Sequence, residues 1–138
     1  MPDRTIAPYG SWKSPITSDL IASGSVRLEH VALDSGSIYW LESRPSEGGR
    51  YVLVRRGSDG VVDDVTQPDS NVRTRVHEYG GGSYLIDGET IFYADFANQM
   101  LHREDKGDDA FPISPEPGVA AGLRYADMRL TPDSRTLV

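Results

Sequence analysis

The run Asn71-Val72-Arg73-Thr74-Arg75-Val76-His77-Glu78-Tyr79-Gly80-Gly81-Gly82 decides how the chain is read, because the same layout of strands and turns stands on either side of it. Upstream, Val26, Leu28, Val31 and Leu33 give a strand with a slip near His30, and Asp34-Ser35-Gly36-Ser37 gives a turn. Ile38-Tyr39-Trp40-Leu41 is an unbroken apolar run, as in a strand covered on both faces. Tyr51 to Arg56 predicts a third strand, Ser58-Asp59-Gly60 a turn, and Val61 to Val65 a short fourth strand. Downstream the order returns. Ser83 to Ile86, the Asp87-Gly88-Glu89 turn, Thr90 to Ala94, Gln99 to Arg103 and Ala110 to Ile113 repeat the same roles. A third unit starts at Leu123-Arg124-Tyr125-Ala126-Asp127-Met128-Arg129-Leu130, turns at Thr131-Pro132-Asp133-Ser134 and enters another apolar strand at Thr136.

Ile91 follows Ile38 by 53 positions, Thr136 follows Ile91 by 45, and Ile113 follows Val65 by 48. Propeller blades recur at roughly 40–50 residues with four strands each. The pattern therefore reads as all-β, a partial β-propeller of two and a half four-stranded blades; a generic β-sandwich is the alternative. The divisions are an N-terminal arm and short helix over 1–25, a first blade over 26–70, a second over 71–118 and the start of a third over 119–138. Ser14 as N-cap and Pro15 at the first helical position predict the helix, with Ile16, Leu20 and Ile21 on one face and Gly24 at its end. Tyr9 and Trp12 are candidates to pin the polar arm. A closed ring takes about 4–8 blades, so the chain is expected to be a piece of a longer protein. Uncovered blade faces favour self-association, with Trp40 and Phe92 partly exposed in a monomer.

Fourteen basic and twenty-one acidic residues give a net charge of −7 among 138 residues. Such a surface repels phosphate backbones, which argues against a nucleic-acid partner. The acidic Asp105, Asp108 and Asp109 read as a solvated loop. No cysteine is present, so disulfides and thiolate metal sites are excluded; a reducing cytoplasm is the expected compartment. No apolar run approaches the ~20 residues that span a bilayer, and no membrane partner is expected.

Few residues carry chemistry. Gly81-Gly82-Ser83-Tyr84-Leu85 comes near a G-x-S-x-G nucleophile elbow but fails at Leu85, and a strand follows it where the elbow needs a helix. Ser83 is therefore read as structural. His77 and Glu78 are adjacent, so on a strand they would point apart and not converge on one ion; no metal and no cofactor is expected. Arg73 and Arg75 are two apart, so on extended backbone both face one way, where two guanidinium groups can hold a carboxylate. The competing reading pairs them with acids of the chain, Glu78 among them. Arg55, Arg56 and Arg103 read as surface charges at strand ends.

Arg73-Thr74-Arg75-Val76-His77-Glu78-Tyr79-Gly80-Gly81-Gly82 resembles a signature of the prolyl oligopeptidase family of serine peptidases, in particular the bacterial dipeptidyl aminopeptidase/acylaminoacyl-peptidase type. Tyr9-Gly10-Ser11-Trp12-Lys13-Ser14-Pro15-Ile16-Thr17, Ile38-Tyr39-Trp40-Leu41-Glu42 with Arg44-Pro45, and Leu123-Arg124-Tyr125-Ala126-Asp127 add to the resemblance. It implies an N-terminal propeller that gates a C-terminal α/β-hydrolase domain carrying the whole catalytic triad. On that reading this chain holds no catalytic residue, and its partners are that hydrolase domain and a peptide substrate. Arg73, Arg75, His77 and Glu78 are the candidate substrate-binding residues. A stand-alone propeller that binds a partner without catalysis is the alternative.

Overall fold

Two tight turns, Asp34–Ser37 and Asp87–Thr90, fold the apolar runs back on themselves, and each starts a four-stranded antiparallel meander. The computed structural model describes residues 6–11, 13–78 and 80–138. The first sheet comprises β1 (Arg27–Asp34), β2 (Ser37–Arg44), β3 (Arg50–Arg56) and β4 (Val62–Asp64), in that spatial order. The second comprises β5 (Tyr84–Asp87), β6 (Thr90–Ala94), β7 (Leu101–Asp105) and β8 (Phe111–Pro112), again in chain order. In the first turn Ser35 and Gly36 both have positive φ, the geometry that matches the twist of a two-residue hairpin. Beyond β8 the third unit contributes only a bridge between Leu130 and Leu137; the expected strand from Leu123 does not form among the described residues. The chain is thus all-β apart from short helical turns.

Side chains of period two put Tyr39 and Leu41 of β2 and Leu53 of β3 on one face of the first sheet. That face packs on Tyr93 of β6, with Val72 of the intervening run between them, and forms one core. The preceding residue of β6, Phe92, points the other way and packs with Ala94, Leu101 and Met128 in a second core. Phe92 is therefore buried, against the expectation of partial exposure, because the third unit already covers it through Met128. Trp40 is half-buried and donates from Nε1 to Glu42 Oε1 at 3.0 Å. On the first sheet's outer edge, Leu28, Val31 and Leu33 remain exposed.

The slip near His30 is a bulge: the β1–β2 register shifts between Glu29 and Ala32, and His30 has φ 50°. The Tyr84 hydroxyl of the second sheet donates to the His30 carbonyl. This bond spans the two sheets and fixes the bulge, and burial pushes the Tyr84 phenol up to about 12. At the far end of the first sheet, Arg44 grips Asp64 with two hydrogen bonds of 2.7 and 2.6 Å and reaches Glu42 at 2.9 Å. The Arg44 guanidinium beside it holds the Asp64 carboxyl below its ordinary value.

The helix, α1 (Ser18–Ser23), starts later than expected. Thr17 caps it, accepting from the Leu20 amide at 3.0 Å. Ser14 instead accepts from the Ile16 amide two residues on, a local turn that competes with helix. Ile16, Leu20 and Ile21 are all exposed, and so is Tyr9; Trp12 lies outside the described residues.

Two tests follow from this packing. Tyr84→Phe removes the bond to His30 and should lower stability by about 1 kcal/mol in urea unfolding; unchanged stability would mean that backbone pairing alone holds the bulge. Glu104 on β7 is 6% exposed, and burial raises its carboxyl above its ordinary value of 4.5 against the lowering bonds from Gln67. The folded chain then keeps a proton that the unfolded chain releases, so stability falls as pH rises from 4.5 through the raised folded value. Glu104→Gln should flatten this slope and be the more stable protein at neutral pH, and an unaltered slope would refute the assignment.

Candidate functional site

The segment that passes from the first sheet to the second must satisfy its backbone on both sides, and it does so residue by residue. The Val72 amide donates to the Tyr51 carbonyl at 2.9 Å, and the Arg73 amide donates to the Ala94 carbonyl at 3.0 Å. The Phe96 amide donates to the Asn71 carbonyl at 2.8 Å. Asn71 Oδ1 accepts from the Tyr51 amide at 3.0 Å, and the Asn71 amide donates to Asp95 Oδ2 at 3.0 Å. Residues 71–73 are thereby extended and locked, with Val72 fully buried.

Extended backbone sends Arg73 and Arg75 to the same side, as the spacing predicts, and there both meet the Phe96 ring. The Arg75 guanidinium carbon lies 4.1 Å from that ring's centroid and the Arg73 carbon 5.0 Å. Arg73 also sits 5.2 Å from the centroid of Tyr51. Cations stacked on aromatic faces are held by the ring quadrupole while their N–H edges stay available. Among the described residues neither arginine forms an ion pair with a carboxylate. The expected competitor, Glu78, is taken by Arg124 at 2.8 Å.

Gln99 holds the two arginines in register. Its Oε1 accepts from the Arg75 amide at 2.7 Å. Its Nε2 faces three carbonyls, of Phe96 at 3.1 Å, Asp95 at 3.3 Å and Arg73 at 3.4 Å. Gln99 is 1% exposed, and its bond to the Asp95 carbonyl is fully buried while the others are partly so. Arg124 of the third unit supports the same loop, donating to the Arg75 carbonyl at 2.9 Å as well as to Glu78.

His77 and Glu78 do not lie on a strand. Residues 76–78 turn, Glu78 has φ 60°, and its amide donates to the Arg75 carbonyl at 3.2 Å. Both side chains are exposed. Arg73 and Arg75 thus converge, whereas Glu78 is drawn to Arg124. Past the turn, Gly82 is where the third unit docks: its amide donates to Asp127 Oδ1 at 3.0 Å and its carbonyl accepts from the Asp127 amide at 2.7 Å. A Cβ at Gly82 would stand 2.6 Å from that Oδ1, so only glycine permits the approach. Ser83 is 2% exposed and donates to the Val72 carbonyl at 3.3 Å, which is a structural role. Among the described residues no group of three His, Asp or Glu side chains is placed to hold a metal ion, and no helix is long and apolar enough to cross a membrane.

Tyr51, Phe96 and Gln99 were not singled out from the sequence. Phe96 carried one signal: it is a large aromatic placed just past the end of an apolar strand, where a loop would leave it exposed.

The fold of this chain is similar to part of several solved structures. A Mycobacterium tuberculosis puromycin-hydrolyzing peptidase matches 97% of this chain with a TM-score of 0.85 and 39% identity. A puromycin hydrolase matches 97% with a TM-score of 0.82 and 33% identity. A mutant puromycin hydrolase complexed with PGG matches 92% with a TM-score of 0.79 and 35% identity. The chain spans about a fifth of the length of each, 21%, 22% and 21% respectively. No family model matches the chain, and no curated protein does.

Gln99→Ala removes the side-chain partner of the Arg75 amide and of the Arg73 and Phe96 carbonyls and should destabilise the chain by about 1–3 kcal/mol. The accompanying sign is faster hydrogen exchange at the Arg75 amide. Wild-type exchange at that amide would show that Gln99 does not hold it.

Proposed function

We propose that this chain, a member of the prolyl oligopeptidase family, is a non-catalytic N-terminal β-propeller segment of a serine peptidase that acts on peptides. The observation that carries the reading is the match of nearly the whole chain to about a fifth of each peptidase. Ser83, the single position near a nucleophile motif, is buried and hydrogen-bonded to backbone, which supports the absence of a triad here.

In the longer protein, further blades cover the exposed edge at Leu28, Val31 and Leu33 and close the ring, and the ring gates a C-terminal α/β-hydrolase domain. Arg73 and Arg75 hold the carboxylate end of a peptide, because they are two convergent guanidinium groups with no carboxylate among the described residues paired to them. His77 and Glu78, in the turn that follows, are the further candidates for the peptide, with Glu78 tethered through Arg124. The proposed compartment is the cytoplasm, in keeping with a chain that has no cysteine.

The test has two parts. The isolated chain should not hydrolyse aminoacyl- or peptidyl-naphthylamides, and hydrolysis abolished by Ser83→Ala would overturn the non-catalytic assignment. In the longer protein, Arg73→Ala with Arg75→Ala should raise KM for short free-acid peptides by about tenfold with little change for their C-terminal amides. An equal change for acids and amides would remove the carboxylate role and leave the family assignment standing.

A further inference from the structure

Four buried side-chain atoms among the described residues have no hydrogen-bond partner: Asp34 Oδ2, Arg55 Nε, Thr66 Oγ1 and Glu104 Oε2. An orphaned buried polar atom is unfavourable by about 1–3 kcal/mol, so a cluster of them calls for a physical reason. Two of the four, Arg55 Nε and Glu104 Oε2, lie at one end of the interface between the two sheets. Arg55 and Glu104 line a cleft of about 560 Å³ there, and Asp34 and Thr66 each adjoin a lining residue, Ser35 and Val65.

The strand registers explain why these two groups share the cleft. Arg55 pairs across β3 and β2 with Tyr39, and Glu104 pairs across β7 and β6 with Ile91. Tyr39 and Ile91 both belong to the core between the sheets. Cross-strand partners project to the same face, so Arg55 and Glu104 enter the interface from opposite walls. Arg55, expected as a surface charge, instead turns its Nε inward because its strand position faces the neighbouring sheet.

The other acids of the cleft are already engaged. Asp64 is held by Arg44, Asp105 by Arg103 and Glu89 by Lys106. Asp59 accepts from the Val61 amide at 3.1 Å. Among the described residues Glu104 has no cation within ion-pair distance, and Arg55 has no carboxylate. The cleft therefore offers one unpaired donor fork on one wall and one unpaired carboxyl on the other, with the hydroxyls of Ser35, Ser37 and Ser58 around them. A neutral polyol would meet the hydroxyls and leave both charges unmatched. A metal cation would meet Glu104 and be repelled by Arg55.

We propose that this inter-sheet cleft binds a small zwitterion, a free α-amino acid or a dipeptide, with its carboxylate on Arg55 and its ammonium on Glu104. The site is separate from the Arg73–Phe96–Arg75 cluster and does not depend on the peptidase reading.

The experiment is a titration of the 138-residue chain with glycylglycine, followed by amide chemical shifts. Saturable shifts are expected at Ser35, Ser58, Gly88 and Lys106, and binding should weaken at least about tenfold in Arg55→Gln and in Glu104→Gln. N-acetylglycine and glycinamide, which each lack one charge, should bind as weakly as those variants. Shifts at Phe96 and Gln99 report the arginine cluster, so the two sites succeed or fail separately. Glu104→Gln is expected to fold at least as well as the parent, and the Arg55→Gln spectrum confirms its fold, so loss of binding is not loss of structure. Cleft amides that stay unmoved at tens of millimolar glycylglycine would overturn the proposal. So would affinity that survives both substitutions, or glycerol acting as well as the dipeptide.

Discussion

A backbone segment that passes between two packed sheets has no water to bond with, and every amide and carbonyl on it needs a protein partner. The rest of this structure depends on how residues 71–73 meet that demand. Val72 bonds to β3 and Arg73 bonds to the end of β6, so the segment acts as a shared strand between the two meanders. Its single buried side chain, Val72, fills the core between them. The extended geometry that results is what points Arg73 and Arg75 the same way.

The arginine cluster inherits its order from that backbone. Phe96 is fixed because its amide bonds back to Asn71, and Gln99 is fixed because its amide donates to the Asp95 carbonyl at 2.8 Å while its side chain spans four groups. The rings orient the guanidinium planes without consuming their N–H donors, which an ion pair would do. A stacked arginine loses less freedom on meeting a carboxylate than a solvated one, because its rotamer is already restricted. The third unit contributes through Arg124 and through the Gly82–Asp127 contact, so the order of the loop is coupled to the docking of the next blade-like element.

Much of this was legible from residue spacing. The two meanders followed from the recurrence of turn, apolar run and turn, and the bulge followed from the broken alternation at His30. The common direction of Arg73 and Arg75 followed from their separation by two. The partners of those arginines were not legible. Phe96 and Gln99 meet Arg73 and Arg75 only because the loop after β6 folds back on the crossing segment, and nothing local encodes that return. Glu78 was drawn to Arg124, 46 positions away, for the same reason. Helix α1 was placed too early because Pro15 after Ser14 has the look of a helix start, whereas the Ser14 hydroxyl closes a turn onto Ile16. Arg55 was misread because a strand-end arginine is ordinarily solvated, and only the packing of a second sheet over it buries Nε.

The charge balance gives the unpaired arginines their meaning. In a chain of net charge −7 an arginine has acids to choose from; Arg50, Arg103 and Arg124 each take one, and Arg44 takes Glu42, Glu47 and Asp64. Arg73 and Arg75 lie where the fold brings aromatic rings and, among the described residues, no ion-paired carboxylate. Two like charges on one ring repel each other, and the rings offset only part of that repulsion. An arriving carboxylate relieves it, so the local arrangement favours an anion while the surrounding acidic surface disfavours anions elsewhere. On the proposed carboxylate-binding reading, this contrast would select a small carboxylate over a polyanion, because a long chain of negative charge would have to lie across an acidic chain to reach the same two groups.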